Sequence, residues 1–84
     1  MAHKSKNKEE VNLMERVQVE SSNLVSVGYN PETATLEIEF HSGSIYQYSG
    51  VPEDVYRGLM NAGSKGRYFH QNIKNAGYPC SKVS

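Results

Sequence analysis

The spacing of hydrophobic positions changes period once, near residue 52, and the change separates a strand-forming half from a helical one. The clearest segment is Thr35-Leu36-Glu37-Ile38-Glu39-Phe40-His41, whose strict alternation directs Leu36, Ile38 and Phe40 inward and leaves Thr35, Glu37, Glu39 and His41 facing water. Upstream, Leu24 to Tyr29 is rich in β-branched and aromatic residues, with Val25, Val27 and Tyr29 on one face. Asn30-Pro31-Glu32-Thr33 follows as a type I turn with proline at its second position. Downstream, Ser42-Gly43 supplies a tight turn into a strand over Ser44 to Ser49, with Tyr46 and Tyr48 on one face and Ile45 and Gln47 on the other. A shorter alternation, Arg16-Val17-Gln18-Val19-Glu20, broken by Ser21-Ser22-Asn23, adds one more strand.

Helical spacing takes over after Gly50-Val51-Pro52. Pro52-Glu53-Asp54 opens a helix, with proline in the first turn and two carboxylates at the positive end of the dipole. Val55, Tyr56, Leu59 and Met60 form its apolar stripe, and it runs to about Ala62 before Gly63. Ser64 is the N-cap of a second helix carrying Tyr68, Phe69 and Ile73, ended by Ala76-Gly77 and Pro79. The pattern predicts an α+β fold: an antiparallel β-meander of three to four strands followed by two short helices packed on one face. Residues 1–15 read as a disordered or loosely helical arm, in which Val11, Leu13 and Met14 could form a docking turn, residues 16–78 as the domain, and residues 79–84 as a loose tail.

An 84-residue chain can bury one core and has no room for a separate substrate or cofactor domain. Its single cysteine, Cys80, excludes an internal disulfide and points to a reducing compartment. No apolar run approaches 18 residues, and Met1-Ala2-His3-Lys4-Ser5-Lys6 leads into polar sequence instead of a signal-peptide core, so the expectation is a cytoplasmic protein with no membrane partner. Net charge is zero but unevenly distributed. Residues 1–54 hold four cations and all nine acids, a balance of −5, whereas residues 55–84 carry Arg57, Lys65, Arg67, Lys74 and Lys82 with no acid, a balance of +5. That split is the sequence's argument for a positive face able to meet phosphates.

Two features could serve such a face. Ser64-Lys65-Gly66 at a helix N-terminus, followed by Arg67, offers free N–H groups, a close approach at the glycine and two cations, a short pattern that an ordinary cap would also produce. Tyr46 and Tyr48 would act as base-stacking platforms if they faced out and as core residues if they faced in, and strand register alone decides between these. Catalysis has little support: His70 and Cys80 could pair as base and nucleophile, but no third orienting group or oxyanion motif accompanies them. His3, His41, His70 and Cys80 lack metal-ligand spacing, and Glu53 and Asp54 diverge as neighbours on a helix, so no cofactor or metal is expected.

The residues also carry a family pattern. Ser22-Asn23-Leu24, Val27-Gly28-Tyr29-Asn30, Leu36-Glu37-Ile38, Phe40, Gly43, Tyr46-Gln47-Tyr48, Val51-Pro52 and Val55-Tyr56 occur in that order, and the pattern continues through Leu59, Ala62, Ser64, Gly66, Tyr68-Phe69 and Ile73. Over about residues 20–75 the chain resembles the KTSC domain, whose hallmark is a central Tyr-x-Tyr and which occurs at the C-terminus of some lysyl-tRNA synthetases and as short bacterial and phage proteins. Asn30 stands where that pattern has aspartate and His70 where it has asparagine. The resemblance implies no established activity, and its synthetase context suggests RNA. Two functions are therefore carried forward: a non-catalytic module binding RNA or tRNA through Lys65, Arg67, Arg57 and Lys74 with Tyr46 and Tyr48, or a protein-interaction module that self-associates or serves as an accessory factor.

Overall fold

A computed structural model describes residues 15–84. The expected N-terminal arm lies, apart from Glu15, outside the described residues. Five strands form one antiparallel sheet in sequence order: β1 (Arg16–Gln18), β2 (Leu24–Asn30), β3 (Thr35–Phe40), β4 (Ile45–Tyr48) and β5 (Cys80–Lys82). Between β4 and β5 the chain forms α1 (Glu53–Asn61) and α2 (Lys65–Phe69), and α2 continues into a π-helical segment, His70–Lys74. The expected meander and helix pair are present.

The turns follow from their residues. The Asn30 side chain accepts the Glu32 N–H at 2.9 Å, setting the bend around Pro31. The last residue of that turn, Ala34, has φ 55°, a left-handed conformation that costs a residue with a Cβ. In the β3–β4 turn Gly43 takes φ 97° and donates its N–H to Phe40 O at 2.8 Å.

Strand register brings the apolar sets onto one face. Ile38 pairs with Val27 on one side and Tyr46 on the other, and Leu36 pairs with Tyr29 and Tyr48. Both tyrosines of the Tyr-x-Tyr therefore join the Leu36/Ile38 face. The helices cover that face, with Leu59, Phe69 and Ile73 buried against Leu24, Val27, Leu36, Ile38, Tyr48 and Val51. Complete burial of a side chain of this size stabilises by about 1.5–3 kcal/mol. α1 is held by a stack of Tyr29 on Tyr56, ring centroids 4.8 Å apart, and the Tyr29 hydroxyl donates to Val51 O at 2.5 Å. The Tyr29 phenol is raised above its ordinary pKa by burial and secondarily by the Glu53 carboxylate.

Four expectations are corrected. First, Val25, Val27 and Tyr29 do not form one continuous row. Register shifts between Leu24 and Ser26, so the extra residue at this bulge puts Leu24 opposite Phe40 and Val27 opposite Ile38, and both are fully buried. Second, Glu37 does not face water. It is 3% exposed, because the cross-strand row Arg16, Gly28, Glu37, Gln47 places two long side chains around it. Glycine in that row leaves nothing between Arg16 and Glu37. The Arg16 guanidinium pairs with one Glu37 oxygen, and Gln47 Nε2 donates to the other at 2.8 Å. Arg16 Nε also donates to Ser26 Oγ at 3.0 Å, and that hydroxyl donates to Glu39 at 2.9 Å. This network ties β1 through β4 together on the face away from the helices. Third, the tail is not loose. β5 pairs Cys80 with Tyr48 and Lys82 with Tyr46, and Ile45 N–H donates to Ser84 O at 2.9 Å, satisfying backbone groups that β4 would otherwise expose. Fourth, the second helix is α-helical for five residues only and then widens to π from His70.

An aromatic groove with basic walls

Where the helix layer ends, the sheet surface is left partly open, and a groove of about 530 Å³ lies between β3, β4, β5 and the π segment. Its floor is aromatic. Phe40 meets Tyr46 edge-on with centroids 5.9 Å apart and Phe69 at 5.4 Å, and Phe69 meets Tyr48 at 5.6 Å, a connected set of edge-to-face contacts. The β3–β4 turn contributes His41, Ser42 and Ser44 beside Asn23, the π segment contributes His70 and Lys74, and the C-terminal strand brings Tyr78 and Cys80. Among the described residues no Asp or Glu lines it. The groove is therefore polar at one end, aromatic underneath and basic along one wall.

Local structure fixes each of these groups. His41 is held at both ends of the residue: its N–H donates to Asn23 O at 3.1 Å and its Nε2 lies 3.0 Å from Ser21 O. The carbonyl partner requires that nitrogen to carry a proton and donate. His70 and Lys74, four residues apart, both reach the groove while Phe69 and Ile73 go into the core. Tyr48, 7% exposed, lines the groove, and its hydroxyl has no hydrogen-bond partner among the described residues. Burial first, then Cys80 and Tyr46, push its phenol up to about 12, so it stays a protonated donor at neutral pH.

Of the residues expected to contact RNA, the fold brings Tyr46, Tyr48 and Lys74 together in this groove. The others lie elsewhere. Lys65 is half-buried and its ammonium donates to Ala62 O at 3.1 Å, at the end of α1. Arg57 pairs with Glu53 one turn earlier at 2.8 Å, both exposed. Arg67 is exposed, with no ion-pair partner among the described residues. At the start of α2 the Ser64 hydroxyl accepts the Arg67 N–H at 3.4 Å, and Gly66 lies against Asn23, where a Cβ would stand 3.5 Å from that side chain. The cap therefore fulfils a structural task, joining α2 to the β1–β2 loop. His41, Tyr78, Phe40 and Phe69 were not singled out as site residues from the sequence. His70 and Cys80, weighed there as base and nucleophile, both line the groove, where no carboxylate among the described residues stands to orient the imidazole.

A single antiparallel sheet, covered on one face by two helices and ending in an aromatic groove, defines a small α+β domain. The chain belongs to the KTSC family: the KTSC domain model matches residues 20–78. It is similar to the crystal structure of a KTSC domain protein from Yersinia pestis, at 44% identity and a TM-score of 0.80, covering 84% of this chain and 99% of that one. An uncharacterised protein of Stutzerimonas stutzeri is 48% identical over 65 residues, 77% of this chain and 92% of the relative. A lysine–tRNA ligase of a Nostoc species is 53% identical over 55 residues, which is 66% of this chain but only 10% of the ligase. Among the described residues no helix is long and apolar enough to cross a membrane.

Proposed function

We propose that this chain is a non-catalytic RNA-binding module that receives an unpaired segment of RNA in the groove. The observation that carries this reading is the composition of the groove: an aromatic floor, Lys74 and two histidines on its walls, and no carboxylate among the described residues. Unpaired bases bind proteins by stacking on aromatic rings, each stack contributing about 1–3 kcal/mol, while cations meet the backbone. Tyr46, half-buried and edge-on to Phe40, offers ring surface, and Lys74 is exposed beside it. The uneven charge of the chain supports the same side, since the strand carboxylates Glu37 and Glu39 lie on the face away from the helices. A like segment within chains named lysine–tRNA ligases also supports an RNA ligand.

The test is binding of fluorescently labelled tRNA, single-stranded RNA and duplex RNA across a salt series. Single strands are expected to bind in preference to duplex, with affinity falling as salt rises by a logarithmic slope of roughly −0.7 per phosphate contacted. Absence of binding to every RNA at low salt overturns the reading. A second reading, self-association through a sheet edge, is favoured by one observation: both outer strands are short and flanked by an exposed valine, Val17 on β1 and Val83 beyond β5. A mass measurement by light scattering over a hundredfold concentration range separates a monomer from an edge-paired dimer.

A further inference from the structure

We infer that the groove is a pocket for a single nucleotide, in which the Tyr48 hydroxyl donates a hydrogen bond to the base while Lys74 meets the phosphate. This rests on the RNA reading above and narrows it from a strand to one nucleotide unit. The first observation is Tyr48 itself. A phenol whose residue is 7% exposed ordinarily has its hydroxyl paired, yet this one, on a residue that lines the groove, has no partner among the described residues. The hydroxyl of Tyr29, a half-buried tyrosine on the same face of the sheet, does have one, at Val51 O. An acceptor supplied by a ligand would complete Tyr48, and every nucleobase carries ring nitrogen or carbonyl acceptors on its edge.

The second observation is size. About 530 Å³ falls within the range of pockets that hold one small ligand, and the groove is bounded by the β3–β4 turn, the π segment and the C-terminal strand. The third is the set of chemistries that line it. Asn23, Ser42 and Ser44 offer hydrogen bonds, the Phe40/Tyr46/Phe69 floor offers stacking, and Lys74 offers positive charge on the helical wall. That set matches the base and the phosphate of one nucleotide.

The test is titration of the full chain with uridine 5′-monophosphate and guanosine 5′-monophosphate, followed by amide chemical shifts, with ribose 5-phosphate and uridine as partial ligands. Saturable shifts at Tyr46, Tyr48, His70 and Lys74 are expected with the nucleotides, and weaker binding with either partial ligand. Tyr48→Phe keeps the ring and removes the donor, and it should weaken nucleotide binding about three- to tenfold while leaving the thermal midpoint within a few degrees. Lys74→Gln should weaken the nucleotides and leave uridine unchanged. If short single-stranded RNA binds and neither nucleotide produces saturable shifts at millimolar concentration, the one-nucleotide pocket is wrong and the RNA reading stands. If neither RNA nor nucleotide binds, both fall. Equal affinity of Tyr48→Phe and the parent for the nucleotides removes the assigned role of the hydroxyl.

Discussion

Replacing Arg16 by alanine should destabilise the domain out of proportion to the contacts it removes. The Glu37 carboxylate is enclosed, with 5% of its side chain exposed, and Arg16 is its charged partner. Without Arg16 that carboxylate keeps only the Gln47 amide, and Ser26 Oγ, itself buried, loses the Arg16 Nε donor. Breaking a buried ion pair by removing one member costs about 3–5 kcal/mol, because the remaining charge is stranded. Arg16 is 28% exposed, so water can partly replace it, and the expected loss falls to about 2–3 kcal/mol. Urea unfolding at neutral pH, followed by circular dichroism, reads this directly. The companion variant Glu37→Gln removes the charge along with the need for a cation, so the double variant Arg16→Ala/Glu37→Gln should be more stable than Arg16→Ala alone by at least about 1 kcal/mol. A loss below 0.5 kcal/mol for Arg16→Ala, or strict additivity in the double variant, would refute the view that this network closes the open face of the sheet.

Three further outcomes follow from single positions. A Cβ at Gly58 of α1 would stand 2.0 Å from the Tyr68 hydroxyl and 2.6 Å from its ring, so Gly58→Ala should destabilise by roughly 1 kcal/mol despite alanine's better helix propensity; in a Tyr68→Ala background the same change should stabilise, as urea midpoints will show. Ala34→Gly relieves the left-handed backbone at φ 55° and should raise stability by roughly 0.5–1 kcal/mol, seen as a higher thermal midpoint. Because Tyr48 is raised to about 12 in the folded chain from an ordinary 10, its contribution to stability is fully present below pH 10 and is lost as pH rises through 12. Tyrosinate absorbance at 295 nm should therefore show a late-titrating phenol that disappears in Tyr48→Phe, and a titration unchanged by that substitution would contradict the burial.

How far the sequence announced this arrangement depends on whether the relevant signal is local. The β3 alternation is local: Leu36 and Ile38 are fully buried, as their period requires. It failed at Glu37 because the partners that bury this residue, Arg16 and Gln47, lie on separate strands that only the register aligns. The bulge at Val25 was hidden for a related reason, since an extra residue inside a β-branched run leaves composition unchanged while reversing the face of Leu24. β5 had no signal of its own. Three exposed residues after Pro79 become a strand because β4 offers them an unpaired edge. The same distinction holds for the groove. Tyr46 and Tyr48 stood out through their spacing, and Lys74 through the charge split, but His41, Tyr78 and the Phe40/Phe69 floor come together only when β3, the π segment and the C-terminal strand converge. Conversely, Lys65 and Ser64 looked available in one dimension and are engaged in the fold by Ala62 O and the Arg67 N–H.

The proposed function requires RNA to meet this domain in the groove, and not on the α1 surface or the open face of the sheet. Amide chemical-shift mapping with a short single-stranded RNA at low salt addresses it most directly. Saturable shifts are expected to concentrate at Phe40–Ser44, Tyr46, Tyr48 and Phe69–Lys74 and to be abolished by Lys74→Glu together with Tyr46→Ala. Shifts centred instead on Arg57 and α1, or on Gln18 and Glu39 across the open face, would contradict it.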